Sequence, residues 1–199
     1  MAMIKTDKGS DMISAIEAIK AINDIRSSEV VVATMTANRY WESVSQNQEM
    51  DLPIFGAMGK ASSVALGLAL SQPNKKIVVL DGDGSLLMNL GSLVTVAGME
   101  PKNFLHFVFE DGAYWTTGGQ PIPGNGKFDL SAMANDAGYK SSHSFEDLET
   151  LVSELPSLMR QDGPIFVSIK IIHPEHAGEP FIGSTKNAME KLSKSISGY

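Results

Sequence analysis

The chain has 199 residues, 43% of them apolar and 20% charged, with a formal net charge of -7 and no cysteine. That length and apolar content suit one domain with a full core. The acidic balance, without a Lys/Arg cluster, argues against nucleic acid and anionic membranes as partners, and the absence of cysteine excludes disulfides, thiolate catalysis and Cys-based metal sites.

In chain order, Ser10 or Asp11 caps an expected helix over residues 12–25, whose apolar positions Met12, Ala15, Ile16, Ile19 and Ile22 form a helical stripe. The polar N-terminal stretch lacks a long apolar region, so no secretory leader is expected, and no run reaches the roughly 18 apolar residues of a membrane helix. Residues 29–34 (EVVVAT) read as a strand and residues 34–39 as the loop at its end; residues 40–53 show no clean period. Residues 54–59 (IFGAMG) read as a turn, and residues 61–70 (ASSVALGLAL) as a helix of small residues that packs closely.

Residues 77–80 form a continuous apolar strand of the kind a parallel sheet buries on both faces. GDGS (residues 82–85) follows, and a helix is expected over residues 86–97. A strand over residues 103–109, a Gly/Pro-rich loop over 112–127 and a helix over 129–137 capped by Asp129 come next. Ser144 or Asp147 starts a helix that runs to Met159 or ends sooner at Pro156; residues 164–172 (PIFVSIKII) form the last strand.

Strands alternating with helices imply an α/β fold, three layers α/β/α around a mostly parallel sheet. No linker divides the chain, so residues 1–199 are expected to form a single domain. Residues 174–199 are a polar C-terminal tail with a short helix at 185–195; a reach across a subunit interface and a plain surface terminus both stay open.

Ligands of open α/β sheets bind beyond the carboxyl ends of the strands, where GDGS sits. Gly82 and Gly84 let the backbone approach a phosphate, the amides of Ser85 and Leu86 open a helix, and Asp83 offers a hard oxygen to Mg²⁺. Alone, GDG after a strand is equally a tight turn. A second turn sharpens it: Asp111 lies 28 positions after Asp83 and is followed by Gly112, the spacing of one helix and one return strand.

With these residues the chain resembles the cofactor-diphosphate-binding domain of thiamine diphosphate-dependent 2-oxoacid decarboxylases, which carry a GDG turn and, one helix and one strand later, an NN pair. The likeness is strongest to sulfopyruvate decarboxylase β subunits and phosphonopyruvate decarboxylases, through GAMGKASSVALGLAL (residues 56–70) and DGAYWTTGGQ (residues 111–120). The resemblance implies a thiamine diphosphate-binding fold. It implies Asp83, Asp111 and the Ala113 carbonyl as Mg²⁺ ligands. Gly82, Gly84, Ser85 and Tyr114 would lie along the cofactor. The Gly56 carbonyl would hold the cofactor's amino group, and Met58 would bend the cofactor into its reactive shape. Arg39, Tyr40, Lys60, Tyr114, Trp115 and Thr116 would shape or charge the substrate pocket. Three departures stand out: Glu110–Asp111 where the family often has Asn or Asp followed by Asn, Lys60 where the related subunits have an apolar residue, and Trp115 where a small residue is common.

The implied reaction is decarboxylation of a small anionic 2-oxoacid such as sulfopyruvate, releasing CO₂ and an aldehyde. The chain is too short to hold the pyrimidine-binding domain as well. A separate α subunit is therefore expected to bring that domain and its activating glutamate, in a cytoplasmic hetero-oligomer. A subunit of a carboligase or 2-oxoacid oxidoreductase, and a non-catalytic assembly subunit, are the alternatives. Of the histidines, His106 reads as core and His143 as surface or loop. His173 and His176, in HPEH, make at most an adventitious metal pair. No H-E-x-x-H, Walker A, GxGxxG or G-x-S-x-G pattern is present.

Overall fold

The computed structural model describes residues 12–173 and 183–197. β1 (Ile13–Ser14) leads into α1 (Ala15–Ile25), β2 (Val30–Thr34) into α2 (Met35–Val44), and β3 (Asp51–Ile54) through a loop into α3 (Ala61–Ser71). β4 (Ile77–Gly82) opens directly into the one-turn α4 (Asp83–Leu87), followed by α5 (Ser92–Met99) and β5 (Phe104–Glu110). A small hairpin, β6 (Ala113–Tyr114) and β7 (Gln120–Pro121), precedes α6 (Leu130–Ala137), β8 (Ser141–Phe145), α7 (Leu148–Arg160), β9 (Ile165–Ile172) and α8 (Thr185–Ser197).

The main sheet runs β1-β9-β5-β4-β2-β3, with β8 also on β9, and every pairing in it is parallel. Alternation along the strands splits the core into two halves. Val31, Ala33, Leu80, Phe107 and Val167 face α1, α2 and α7; Val30, Val32, Val79, Val108 and Phe166 face α3, α5, α6 and α8. Two covered faces explain why β4 is apolar over residues 77–80 and β9 is apolar apart from Ser168 and Lys170. From β2 the chain steps outward to β3, then α3 carries it back over to β4 on the other side. The carboxyl ends of β2 and β4 therefore flank a topological switch point.

Several expectations need correction. Residues 35–44 form a helix instead of a loop, buried through Ala37, Tyr40 and Trp41; its entry requires Met35 at φ +49, rare for a side chain of that size. The helix expected over 86–97 is two short helices, because the chain turns at 88–91 where the Asn89 side chain leaves to bond Gly59 O at 2.9 Å. β1 is two residues long. β8 (SSHSF) buries only Phe145, so neither strand shows an apolar run. α1 begins at Ala15, and its expected caps Ser10 and Asp11 lie outside the described residues. Asp147 caps α7, accepting from Thr150 N at 2.8 Å; Ser144 belongs to β8, and Pro156 sits inside α7. Asp129 caps α6 as expected, accepting from Ala132 N at 3.0 Å.

Of the C-terminal residues, α8 lies on β3. Thr185 Oγ1 accepts from Phe55 N at 3.1 Å and donates to Pro53 O at 2.9 Å, and Leu192 is 1% exposed. Among the described residues no helix is long and apolar enough to cross a membrane.

Candidate active site

The turns after β4 and β5 are joined by one carboxylate. Asp83 Oδ1 accepts from Gly84 N at 2.6 Å, and its Oδ2 accepts from Gly112 N at 2.8 Å. Both glycines are required by close approach: a Cβ on Gly84 would lie 2.7 Å from the Tyr114 ring, and one on Gly112 (φ +74) would lie 2.5 Å from Asn125 Nδ2. Gly82 differs. A Cβ there meets nothing within 4 Å, and the residue lines an open cleft. Because α4 is one turn long, its dipole is small, and the turn offers an anion exposed backbone more than a helix field.

Asp83 is nearly fully buried. Burial and the neighbouring Asp111 and Glu110 carboxylates push its carboxyl up to about 7, against the opposing pull of the two backbone N–H groups. Asp111 Oδ1 accepts from Ala113 N at 2.9 Å, and Oδ2 accepts from His173 Nε2. His173 Nδ1 lies 3.1 Å from the Tyr40 hydroxyl, and the Trp115 ring centroid is 4.5 Å from that of the imidazole. Burial raises the Tyr40 hydroxyl's pKa, so it remains a donor. Glu110 turns away, bonded to Ser168 and Lys170 of β9, and does not line the cleft.

The IFGAMG loop is tied to the GDGS turn. Gly59 N donates to Ser85 Oγ at 3.0 Å, and a Cβ on Gly59 (φ +72) would lie 2.9 Å from Asn89 Cβ. Met58 thereby joins Asp83, Ser85, Asp111, Ala113 and Tyr114 in one cleft, with Tyr40, Trp115 and Thr116 on its wall. Gly56 (φ +63) and Arg39 line a neighbouring cleft, which shares Met35 and Thr116 with the first. Lys60 lines neither and is exposed at the start of α3.

His106 is buried in the core as expected, with Nε2 3.6 Å from Asp81 Oδ2 and Nδ1 3.4 Å from the Tyr139 hydroxyl. His143 is half-buried on β8. His176 lies outside the described residues. The sequence weighs His173 only with His176, as an adventitious metal pair, and gives it no role in the site. The available signal was its position at the carboxyl end of β9, where the other site residues converge. Among the described residues no three His, Asp or Glu side chains gather to hold a metal unaided. Two carboxylates and a backbone oxygen suit a cation that takes its remaining ligands from a bound diphosphate.

Residues 29–169 match the family model of the thiamine pyrophosphate enzyme, C-terminal TPP binding domain. The chain belongs to that family. This TPP binding domain is 34% identical over 189 residues to sulfopyruvate decarboxylase subunit beta of Methanothermobacter thermautotrophicus, covering 94% of this chain and 97% of that protein. It is 38% identical over 146 residues to phosphonopyruvate decarboxylase of Streptomyces viridochromogenes, covering 73% of this chain but only 36% of the relative. In fold it is similar to benzoylformate decarboxylase from Polynucleobacter necessarius, with TM-score 0.68 at 20% identity over 86% of this chain and 35% of that one. The TPP binding domain thus spans nearly all of a β subunit and about a third of the longer chains.

Proposed function

We propose that the chain is the β subunit of a thiamine diphosphate- and Mg²⁺-dependent decarboxylase of a small 2-oxoacid bearing a second anionic group, such as sulfopyruvate. Its product with CO₂ is an aldehyde. The observation that carries the reading is the convergence of Asp83, Asp111 and Met58 in one cleft at the switch point, in a chain that spans 97% of a sulfopyruvate decarboxylase β subunit. A separate α subunit brings the pyrimidine-binding domain and its activating glutamate, and the cytoplasmic enzyme is a hetero-oligomer.

The residues present fit the cofactor. The absent side chain of Gly82 leaves open space beside buried carboxylates, and the raised carboxyl of Asp83 reflects its burial and then the neighbouring Asp111 and Glu110 charges, which a divalent cation offsets. Asp83, Asp111 and the Ala113 carbonyl hold Mg²⁺. Gly82, Gly84, Ser85 and Tyr114 border the diphosphate. Ser85 accepts from Gly59 and so keeps its own hydroxyl hydrogen for a phosphate oxygen. Gly56 would offer its carbonyl to the cofactor's pyrimidine, and Met58, soft and unbranched, would pack against its rings. When bound, thiamine diphosphate supplies the electron sink for loss of CO₂. The protein's part is to orient it and exclude water. Trp115 and Thr116 wall the substrate side, and Arg39, with no ion pair among the described residues, faces the adjoining cleft as a charge for the substrate's second anion.

The test is CO₂ and aldehyde release by this chain combined with the product of its neighbouring gene, supplied with thiamine diphosphate and Mg²⁺. Sulfopyruvate, phosphonopyruvate and pyruvate are the substrates compared. Turnover of an anionic 2-oxoacid, absent with either chain alone, is expected. Acyloin or acyl-CoA as product, or no cofactor binding, overturns the reading.

A further inference from the structure

Each of three carboxylates grouped at the strand ends has a different compensating partner. Glu110 faces Lys170, and Asp83 faces two backbone N–H groups. Asp111 has the Ala113 N–H on one oxygen and His173 on the other. His173 comes from the far end of β9, 62 residues on, and its side chain is only 7% exposed.

A carboxylate only accepts, so Nε2 carries the hydrogen, and the Tyr40 hydroxyl fills Nδ1. The stacked Tyr40 ring, at 5.9 Å between centroids, and the tilted Trp115 ring, at 4.5 Å, leave the imidazole little room to turn. Elements α2, β9 and the turn after β6 therefore all contribute to holding one carboxylate.

We propose that His173, held by Tyr40, is a positioning residue of the metal site: it orients the Asp111 carboxylate and offsets its charge beside Asp83. The inference rests on the reading of Asp83 and Asp111 as metal ligands. Outer partners that orient a ligand typically change metal affinity by about 10–100-fold when removed. An amide at position 111 is neutral and carries its own donor, so it leaves His173 no charge to offset.

The experiment is Mg²⁺ titration of the full chain at saturating thiamine diphosphate, read by quenching of tryptophan fluorescence, with thermal unfolding as a control. His173→Leu is expected to raise the Mg²⁺ Kd about 10–100-fold. His173→Gln, which keeps a donor, recovers most of the loss, and Tyr40→Phe gives a smaller weakening in the same direction. In an Asp111→Asn background, His173→Leu adds no further loss. Wild-type Mg²⁺ affinity in His173→Leu, equal loss in the Gln and Leu variants, or additive effects of the position 111 and 173 changes would overturn the inference. Absence of Mg²⁺-dependent quenching in the unmodified chain, both alone and combined with its partner subunit, would overturn the functional reading itself, and this inference with it.

Discussion

Ser85 Oγ accepts the backbone N–H of Gly59 at 3.0 Å, across 26 residues of sequence. One hydroxyl thereby joins the loop carrying Gly56 and Met58 to the turn carrying Asp83. The Gly59 amide is buried, so Ser85→Ala leaves it unpartnered. The expected result is a loss of stability of about 1–3 kcal/mol with weakened thiamine diphosphate binding. Denaturant unfolding and cofactor titration on the same variant check both; unchanged cofactor affinity would mean that the two loops are positioned independently.

Asp83 gives a pH dependence whose sign follows from its environment. Its carboxyl is raised from 3.8 to about 7 in the folded chain, so the proton is bound more tightly folded than unfolded. The associated stability is present below about pH 4 and is lost as pH rises toward 7. Mg²⁺ needs the ionised form. Its affinity should therefore climb to about pH 7 and then level, and binding at pH 6 should release protons. Calorimetry in two buffers of different ionisation heat measures that release; equal heats would contradict it.

Gly84→Ala places a methyl 2.7 Å from the Tyr114 ring, and the β6–β7 hairpin that carries the ring has to shift. Overpacking of this kind costs about 1–3 kcal/mol. Gly82→Ala meets no protein atom within 4 Å and should leave folding intact while obstructing the cleft. Unfolding midpoints and cofactor affinities of the pair separate a folding requirement at 84 from a binding requirement at 82.

Leu192 of α8 is 1% exposed against the face that holds Val30, Val32 and Leu52. Leu192→Ala should cost about 2–5 kcal/mol, whereas the exposed Met189→Ala should cost little. Denaturant unfolding of both variants measures the difference, and equal stability would detach α8 from the core.

The central strands were legible because both faces of the sheet are covered. Residues 77–80 are apolar at every step, and residues 164–172 are interrupted only by Ser168 and Lys170. Capping aspartates at 129 and 147 marked real helix starts. β8 was not legible because its residues, Phe145 apart, are polar and only partly buried or exposed, and α2 was hidden by its start at a positive φ. In the site, GDGS and the Asp111–Gly112 turn were legible by spacing, and residues 113–116 through the family resemblance. His173 was not, since its role arises from sheet order, which sets the carboxyl end of β9 beside that of β5 and so brings His173 to Asp111, 62 residues earlier.

The first experiment is calorimetric titration of thiamine diphosphate into this chain with Mg²⁺ and with EDTA, alone and with the neighbouring gene's product, for the unmodified protein and Asp83→Ala. Metal-dependent binding that tightens with the second chain and collapses in Asp83→Ala is the outcome expected from a diphosphate and metal site at the β4–β5 ends. Binding that ignores both the metal and Asp83, or no binding in any mixture, would contradict it.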